Sequence, residues 1–553
     1  MSLGLKKISP PLEPNEVSVL IIDGQSLVQD SIKTAFNDVG ITNVKNAQNA
    51  FYALRLCDQQ KFNMILIAFD VSSDKDGFHL FEELKFKGHI NKETSVVFLS
   101  AETSPELVNC IIELQPDDFW VKPLDRSKVE TRLQYLFNIR RKLHKLLYCL
   151  EKQDYAAAIY HAERQLLDPS LKDLTPRIKK IVGDCYINLH EFSEAERYFV
   201  KLQENYPYGW ISIGLARVLL KQNKKDDADL LIDEMLQRDD TRFAAYDLLA
   251  QYHIEHEQYE EAYKQMKEAS RLAPRNINRN KKLWDLARLN HDKMGQYRAT
   301  QNMVKYAKNS IHDSPELQLN VIRSGIDLAT SVTSDEALPF LQRAERDIAI
   351  LENQRGHMAI GVEQIDVLKA RMKCVRNDKS GAEKIIKDIS VRVNASLEDN
   401  LDKMKVFHEL GFKEQSLTIL DKLGKEIAGD TFSCHVVNEY LKQESIERRE
   451  ISFTAKELKE MAAVNYKKNR LGPAYKNLQQ SLKLSPQDKQ VAMSLLKVLA
   501  QISKSDNLTY EQNLETLNAI SLLNTIQLTA VEESKRDLYI KQIGITTEQE
   551  QVD

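Results

Sequence analysis

Apolar positions recur in two regimes along the chain. Up to about residue 140, short uninterrupted apolar runs alternate with segments in which apolar residues return every three or four positions. VSVLIID (Val17–Asp23) has no helical period, as expected of a strand buried on both faces. SLVQDSIKTAFNDVG follows, with Leu27, Ile32, Ala35 and Phe36 on one helical face and Gly40 as a stop. The alternation predicts a strand near Asn43–Lys45 before a helix over Gln48–Gln59, and Met64–Ala68 before Phe78–Lys87. It then predicts Ser95–Ser100 before Ser104–Leu114, and Asp118–Val121 before a helix starting near Ser127. Five strands alternating with five helices imply a parallel sheet covered on both faces. Such sheets take ligands at the carboxyl ends of their strands. The residues there are Asp23 and Gly24, Ala68, Ser100 and Ala101, and Lys122–Pro123.

From Leu143 onward strand signals vanish and amphipathic helices come in pairs. Small residues after an aromatic or polar turn mark a repeat: Ala158, Ala195, Ala228, Ala262 and Ala299 lie 37, 33, 34 and 37 residues apart. In KIVGDCYINLHEFSEAERYFVKLQENYP, Gly183 and Ala195 allow two helices to approach, Tyr186, Phe192 and Phe199 fill the space, and Pro207 ends the second helix. YDLLAQYHIEHEQYEEAYKQMKEASRLAP and MAAVNYKKNRLGPAYKNLQQSLKLSP repeat the arrangement. Between Asp313 and Glu450 the helical period persists while this pattern fades. LPFLQRAERDIAIL, AEKIIKDI and EQSLTILDKL read as further helices, with breaks expected at DKSG (Asp378–Gly381) and LGKEIAGD (Leu423–Asp430).

The order VLIIDG…FLSAE…PDDFWVKP resembles the receiver domain of bacterial response regulators, over about residues 17–140. The resemblance implies a flavodoxin-like α/β fold and gives each strand end a role. Asp23 falls on the first member of the acidic pair, Ser100 on the hydroxyl position, Phe119 on the aromatic switch and Lys122 on the phosphate-sensing lysine, with a cis bond expected before Pro123. Gly24 takes the second acidic position and Ala68 the phosphoacceptor position. Phosphoryl transfer needs a carboxylate nucleophile and a Mg²⁺ held largely by carboxylates. Gly24 removes one ligand, and Ala68 removes both a ligand and the nucleophile. No Mg²⁺ or other cofactor is therefore expected, and no catalysis. Asp70, two residues beyond Ala68, is the alternative acceptor, in which case the chain would be a phosphorylation-responsive regulator. Phe62-Asn63 and Asp76-Gly77 frame the loop with Ala68 in place, which assigns Asp70 and Asp74 to the solvated loop.

The 34-residue units resemble the tetratricopeptide repeat, which implies an all-α superhelical solenoid with a concave surface that holds peptides or partner helices. Exposed groove candidates on the first helices of the hairpins are Asn188, Arg217, Lys221, Gln251 and His253. The domain plan is a flexible leader over 1–15, a receiver over 16–140, tetratricopeptide repeats over 141–310, degenerate repeats over 311–450, repeat-like helices over 451–535, and a polar, frayed tail over 536–553.

Composition narrows the function. The 77 basic and 81 acidic side chains leave a net charge of −4, so no global field favours nucleic acid or an anionic membrane. IRRKLHKLL (Ile139–Leu147) reads as a solvated face on a connector. RNINRNKK (Arg275–Lys282) is a basic loop without interleaved aromatics, and with the basic helix it is the support for a nucleic-acid-associated regulator as the alternative. The six cysteines are scattered and read as buried, reduced thiols. No apolar run is long enough to span a bilayer, and the first residues lack a signal-peptide pattern, so a soluble, cytoplasmic protein is expected. The sequence thus predicts a signalling adaptor with a pseudo-receiver joined by a continuous helix to a repeat solenoid. It would bind other proteins through the groove and the receiver surface, with the receiver's last helices as a candidate homodimer face.

Overall fold

The computed structural model describes residues 12–544 apart from 72–74, 92, 333, 354–361, 388, 390, 392–395, 428–431, 451, 452, 454, 487, 505, 506 and 527. Two compact units divide the chain. The first comprises residues 1–280 and 302–313, and the second 281–301 and 314–553.

The first unit begins with a five-stranded parallel sheet: β1 (Ser18–Ile22), β2 (Asn43–Ala47), β3 (Met64–Ala68), β4 (Ser95–Ser100) and β5 (Asp118–Val121), in the order β2-β1-β3-β4-β5. Between and after the strands run α1 (Ser26–Asp38), α2 (Ala50–Gln59), α3 (Gly77–Phe86), α4 (Pro105–Leu114) and α5 (Arg126–Lys142). Every residue of β1, β3 and β4 is buried, which is why those segments are continuously apolar. This is the flavodoxin-like receiver fold read from the sequence, with element ends displaced by a residue or two. The strand order reverses between β1 and β3, so their carboxyl ends, Asp23 and Ala68, flank the switch point.

Helix hairpins follow: α6 (His144–Glu151) with α7 (Tyr155–Leu166), α8 (Thr175–Asn188) with α9 (Phe192–Gln203), α10 (Gly209–Lys221) with α11 (Lys225–Gln237), and α12 (Arg242–Glu255) with α13 (Tyr259–Leu272). The connector is not one continuous helix: Leu143, at φ −94° and ψ 8°, interrupts it between α5 and α6. Each hairpin turns through a left-handed residue, Gln153, His190, Asn223 and Glu257, which lie 37, 33 and 34 residues apart. First helices also touch one another, α8 against α10 and α10 against α12, which is the packing typical of a superhelical solenoid. Gly183 of α8 and Gly214 of α10 both abut the buried Phe199 ring, and a Cβ at either position would lie 2.5 or 2.4 Å from its Cζ.

The chain continues through α14 (Ile277–Leu289) and α15 (Lys293–Ala307). The second unit then contains the hairpins α16 (Pro315–Ala329) and α17 (Ser334–Asn353), α18 (Val362–Val375) and α19 (Lys379–Ile386), and α20 (Leu397–Glu409) and α21 (Lys413–Glu426). After these come α22 (Phe432–Glu450), α23 (Ala455–Lys467), α24 (Leu471–Leu484), α25 (Lys489–Ile502), α26 (Tyr510–Thr525) and α27 (Ala530–Ile543). First helices again stack, α16 on α18 and α18 on α20.

Both expected breaks fall where one helix ends and the next begins. At DKSG, Asn377 is left-handed and the Asp378 carboxylate accepts from the Gly381 N–H to cap α19, so the break is a hairpin turn. LGKEIAGD carries the end of α21 at Glu426, and its residues 428–430 fall outside the described residues. One expectation needs correction, because the chain does not fray at residue 536. A capping box between Thr529 and Glu532 starts α27, and Gly544, at φ +83°, ends it. The leader over 1–11 and the tail over 545–553 fall outside the described residues. Among the described residues, no helix is long and apolar enough to cross a membrane. Five cysteines are buried, whereas Cys434 is half-buried.

Candidate functional site

The carboxyl end of β1 carries Asp23, only 1% exposed. Its N–H donates to Ala47 O (3.0 Å), and Gln29 of α1 donates through Nε2 to Asp23 O (2.6 Å) and Ala47 O (2.9 Å), which ties the ends of β1 and β2 together. A carboxylate this buried requires compensation. Oδ1 accepts from the Gln25 N–H (2.9 Å), and Lys122 Nζ lies 2.6 Å from Oδ2, an ion pair whose angles fall outside hydrogen-bond geometry. Gly24 is exposed and Ala68 is fully buried. Gly77, at the start of α3, presses on the end of β3: its N–H donates to Phe69 O (2.8 Å), and a Cβ there would sit 2.3 Å from Ala68 O.

Ser100 is 6% exposed, and its hydroxyl is committed to the β4–α4 turn, donating to Glu102 O and accepting from Glu102 N, each at 3.0 Å. Phe119 is half-buried against the receiver core. The Lys122-Pro123 bond is cis, as the resemblance implied. Asp70 is exposed and makes no hydrogen bond or ion pair among the described residues; Asp74 lies outside them. A Mg²⁺ ion wants several oxygen ligands in near-octahedral array. Asp23 already faces an ammonium, Gly24 has no side chain and Ala68 offers a methyl group, so this donor set does not fit Mg²⁺. Among the described residues, no group of three or more His, Cys, Asp or Glu is placed to hold a metal.

Basic residues left aside by the sequence reading grip this receiver. Arg275, just beyond α13, pairs with Asp76 at the N-cap of α3 (2.6 Å) and covers the Phe69 ring at 4.8 Å. Arg279, only 6% exposed, holds Glu113 of α4 through Nη2 (2.7 Å) and Nη1 (3.1 Å), and its Nε lies 3.3 Å from Asp247 of α12. Asn109 of α4 donates to Leu272 O (3.3 Å). Asp117, before β5, sits between Arg140 and Arg177, 2.7 Å from each; burial opposes its ionisation, but the two guanidiniums hold its carboxyl below the usual range. RNINRNKK is therefore no free loop: from Ile277 onward it forms the start of α14, and it spends Arg275 and Arg279 on acidic groups of its own unit. Arg140 likewise is no solvated residue, since it also donates to Ser95 Oγ and Thr94 O, each at 2.8 Å. The signal that could have found these contacts was acidic residues at the matching receiver positions, Asp76 and Glu113.

The groove candidates divide. Asn188, Arg217, Lys221 and Gln251 are exposed, and Lys221 and Gln251 converge on Glu255 Oε1 at 2.6 and 3.1 Å. His253 is 6% exposed, and its Nδ1 lies 2.7 Å from Gln258 Oε1, so it belongs to the hairpin turn rather than to an exposed face.

Residues 19–134 match the family model described as the response regulator receiver domain. The protein thus carries an N-terminal CheY-like receiver domain fused to a long, largely helical region compatible with a repeat solenoid. Among solved structures, the chain is similar to the chemotaxis response regulator CheY4 of Vibrio cholerae, at 22% identity over 22% of this chain and 98% of that one, with a TM-score of 0.20. It is also similar to the Cut9-Hcn1 hetero-tetramer of the APC/C (11% identity, 74% and 98% coverage, TM-score 0.27). A tetratricopeptide repeat protein from Parabacteroides merdae matches at 10% identity, over 55% of this chain and 98% of that one, with a TM-score of 0.24. At scores this low none of them bears on function. The comparison with curated proteins gave no match.

Proposed function

We propose that the protein is a signalling adaptor that acts by binding, with a receiver that has lost phosphoryl chemistry and helical repeats that recruit other proteins. The observation carrying this reading is the Asp23–Lys122 pair at 2.6 Å, with Gly24 and Ala68 in the remaining acidic positions. Lys122, which the resemblance assigns to phosphate sensing, here neutralises the one acid left at the strand ends. A receiver so arranged lacks the family's nucleophile at Ala68 and, among the described residues, a cluster to hold the metal that would neutralise the phosphoryl group. The exposure of Asp70, which makes no hydrogen bond or ion pair among the described residues, supports a loop role over an acceptor role.

The repeats' own arginines occupy the α3–α4 side of the receiver, so partners meet its remaining surface and the repeat face bearing Asn188, Arg217, Lys221 and Gln251. Arg275 and Arg279 are spent internally, which weakens the nucleic-acid alternative. The setting that suits such an adaptor is the cytoplasm. Calorimetric titration of the full chain with Mg²⁺ tests the reading: no saturable heat is expected, and one-to-one binding abolished by Asp23→Asn would contradict it.

A further inference from the structure

The second unit holds a half-open cavity of about 730 Å³ that the receiver reading does not use. That volume lies within the range of small-molecule sites. Eight lysines and arginines line it beside six aspartates and glutamates, and Arg288, Arg371, Arg376 and Lys459 also reach Glu398, Asp402, Glu345 and Asp488 behind the wall, so among the described residues Lys293 is the lining cation left without a carboxylate. Burial, reinforced by Glu444, pushes the Glu447 carboxyl up to about 7, and burial also raises Glu409.

The chemistry concentrates around Asp327 of α16. Arg371 of α18 reaches it through Nη2 (2.5 Å) and Lys405 of α20 through Nζ (2.7 Å). Lys293, at the start of α15, feels the same carboxylate, yet no carboxylate oxygen lies within 4 Å of its ammonium among the described residues. Its hydrogen-bond partner is the neutral Thr330 Oγ1 at 3.3 Å. Burial draws Lys293 below the ordinary lysine range although Asp327 opposes this. Two deeply buried arginines on the lining also carry orphan donors. Among the described residues, Arg371, 1% exposed, has no acceptor for Nε although its other nitrogens meet Asp327 and Asp402, and Arg288, 7% exposed and paired with Glu398 through Nη2, has none for Nη1, which lies 3.8 Å from Asp285 Oδ1. Buried donors without partners are rare and call for water or a ligand. Water can satisfy an N–H, but it does not neutralise the Lys293 ammonium in a confined space. The same cavity is lined by Val332, Leu338, Leu341 and Val375, so an occupant meets apolar surface beside the cations.

We propose that this chamber is a binding site for a small organic anion, a carboxylate or phosphate joined to an apolar group, whose charge is met by Lys293, Arg371 and Arg288. The assignment is independent of how the receiver is read. It is tested on the full chain by calorimetry and thermal shift with phenyl phosphate, 3-phenylpropionate, inorganic phosphate and the neutral 2-phenylethanol. Saturable one-to-one binding of at least one aromatic anion is expected, weaker binding of inorganic phosphate, and none of the alcohol; the stronger anion shows which acid group the site prefers. Lys293→Met should weaken that anion about tenfold or more with the melting temperature of the free protein unchanged or raised, because a partly buried, unpaired cation is removed. The proposal falls if neither aromatic anion saturates the protein by about 10 mM, a Kd weaker than any specific site would show. It also falls if the well-folded Lys293→Met variant binds as tightly as the parent, or if the alcohol binds as tightly as the anions.

Discussion

Lys122 Nζ stands 2.6 Å from Asp23 Oδ2, and both side chains are shielded, at 12% and 1% exposure. Removing one partner strands a charge in the receiver's interior, and breaking such a pair costs about 3 kcal/mol. Asp23→Asn and Lys122→Met should each destabilise the protein by about that much. The double variant should recover a large part of the loss. Urea denaturation in a double-mutant cycle measures the coupling, and additive losses would show the pair to be energetically idle.

The Arg279–Glu113 contact makes a parallel prediction at the junction of receiver and repeats. Arg279→Glu should cost about 3 kcal/mol, since it sets two carboxylates together where one guanidinium was buried. Adding Glu113→Arg should restore at least half of that. Hydrogen exchange over 105–114 reads the same event locally: protection of α4 should fall in the single variant and return in the swap.

Phe199 is pinned between Gly183 and Gly214. Gly214→Ala should cost about 2 kcal/mol through overpacking, and markedly less in a Phe199→Leu background, where the clashing ring is gone. Equal costs in both backgrounds, measured by thermal denaturation, would separate the glycine from the ring.

Glu447 predicts a pH dependence. Burial and the neighbouring Glu444 raise its carboxyl from an ordinary 4.5 to about 7, while Arg448 and Lys293 oppose and His291 Nε2 lies 3.6 Å away. Between those values the unfolded chain has released the proton and the folded one keeps it, so this group subtracts stability as pH rises from 4.5 and its penalty is complete above 7. Glu447→Gln should therefore match the parent at pH 4.5 and exceed it at pH 8 by about 2 kcal/mol. A variant that gains nothing at pH 8 would contradict the assignment.

Where apolar pattern decides structure, the sequence was legible. β1, β3 and β4 are buried on both faces and so carry no polar residue until their ends. The hairpins over Arg177–Pro274 repeat small residues where helices must touch, as Gly183 does against Phe199. The connector's break at Leu143 was not legible, because a single residue off helical geometry leaves no mark on the apolar period. The chamber was hidden for a different reason. Arg371, Asp327 and Asp402 lie in a stretch where the sequence shows only a helical period, but in the folded unit they pair with one another across α16, α18 and α20. Charge pairing between repeats is non-local, and a single sequence carries no period for it. The same limit applied to Arg275 and Arg279, which looked like a free basic loop until the fold brought Asp76 and Glu113 to them.

The central claim is that this receiver takes up no phosphoryl group. Incubating the full chain with a small-molecule phosphodonor and Mg²⁺, and measuring intact mass together with base-labile label, tests it most directly. No incorporation is expected, in the parent or in Asp70→Ala. A Mg²⁺-dependent, base-labile phosphate on the parent that disappears in Asp70→Ala would contradict the account.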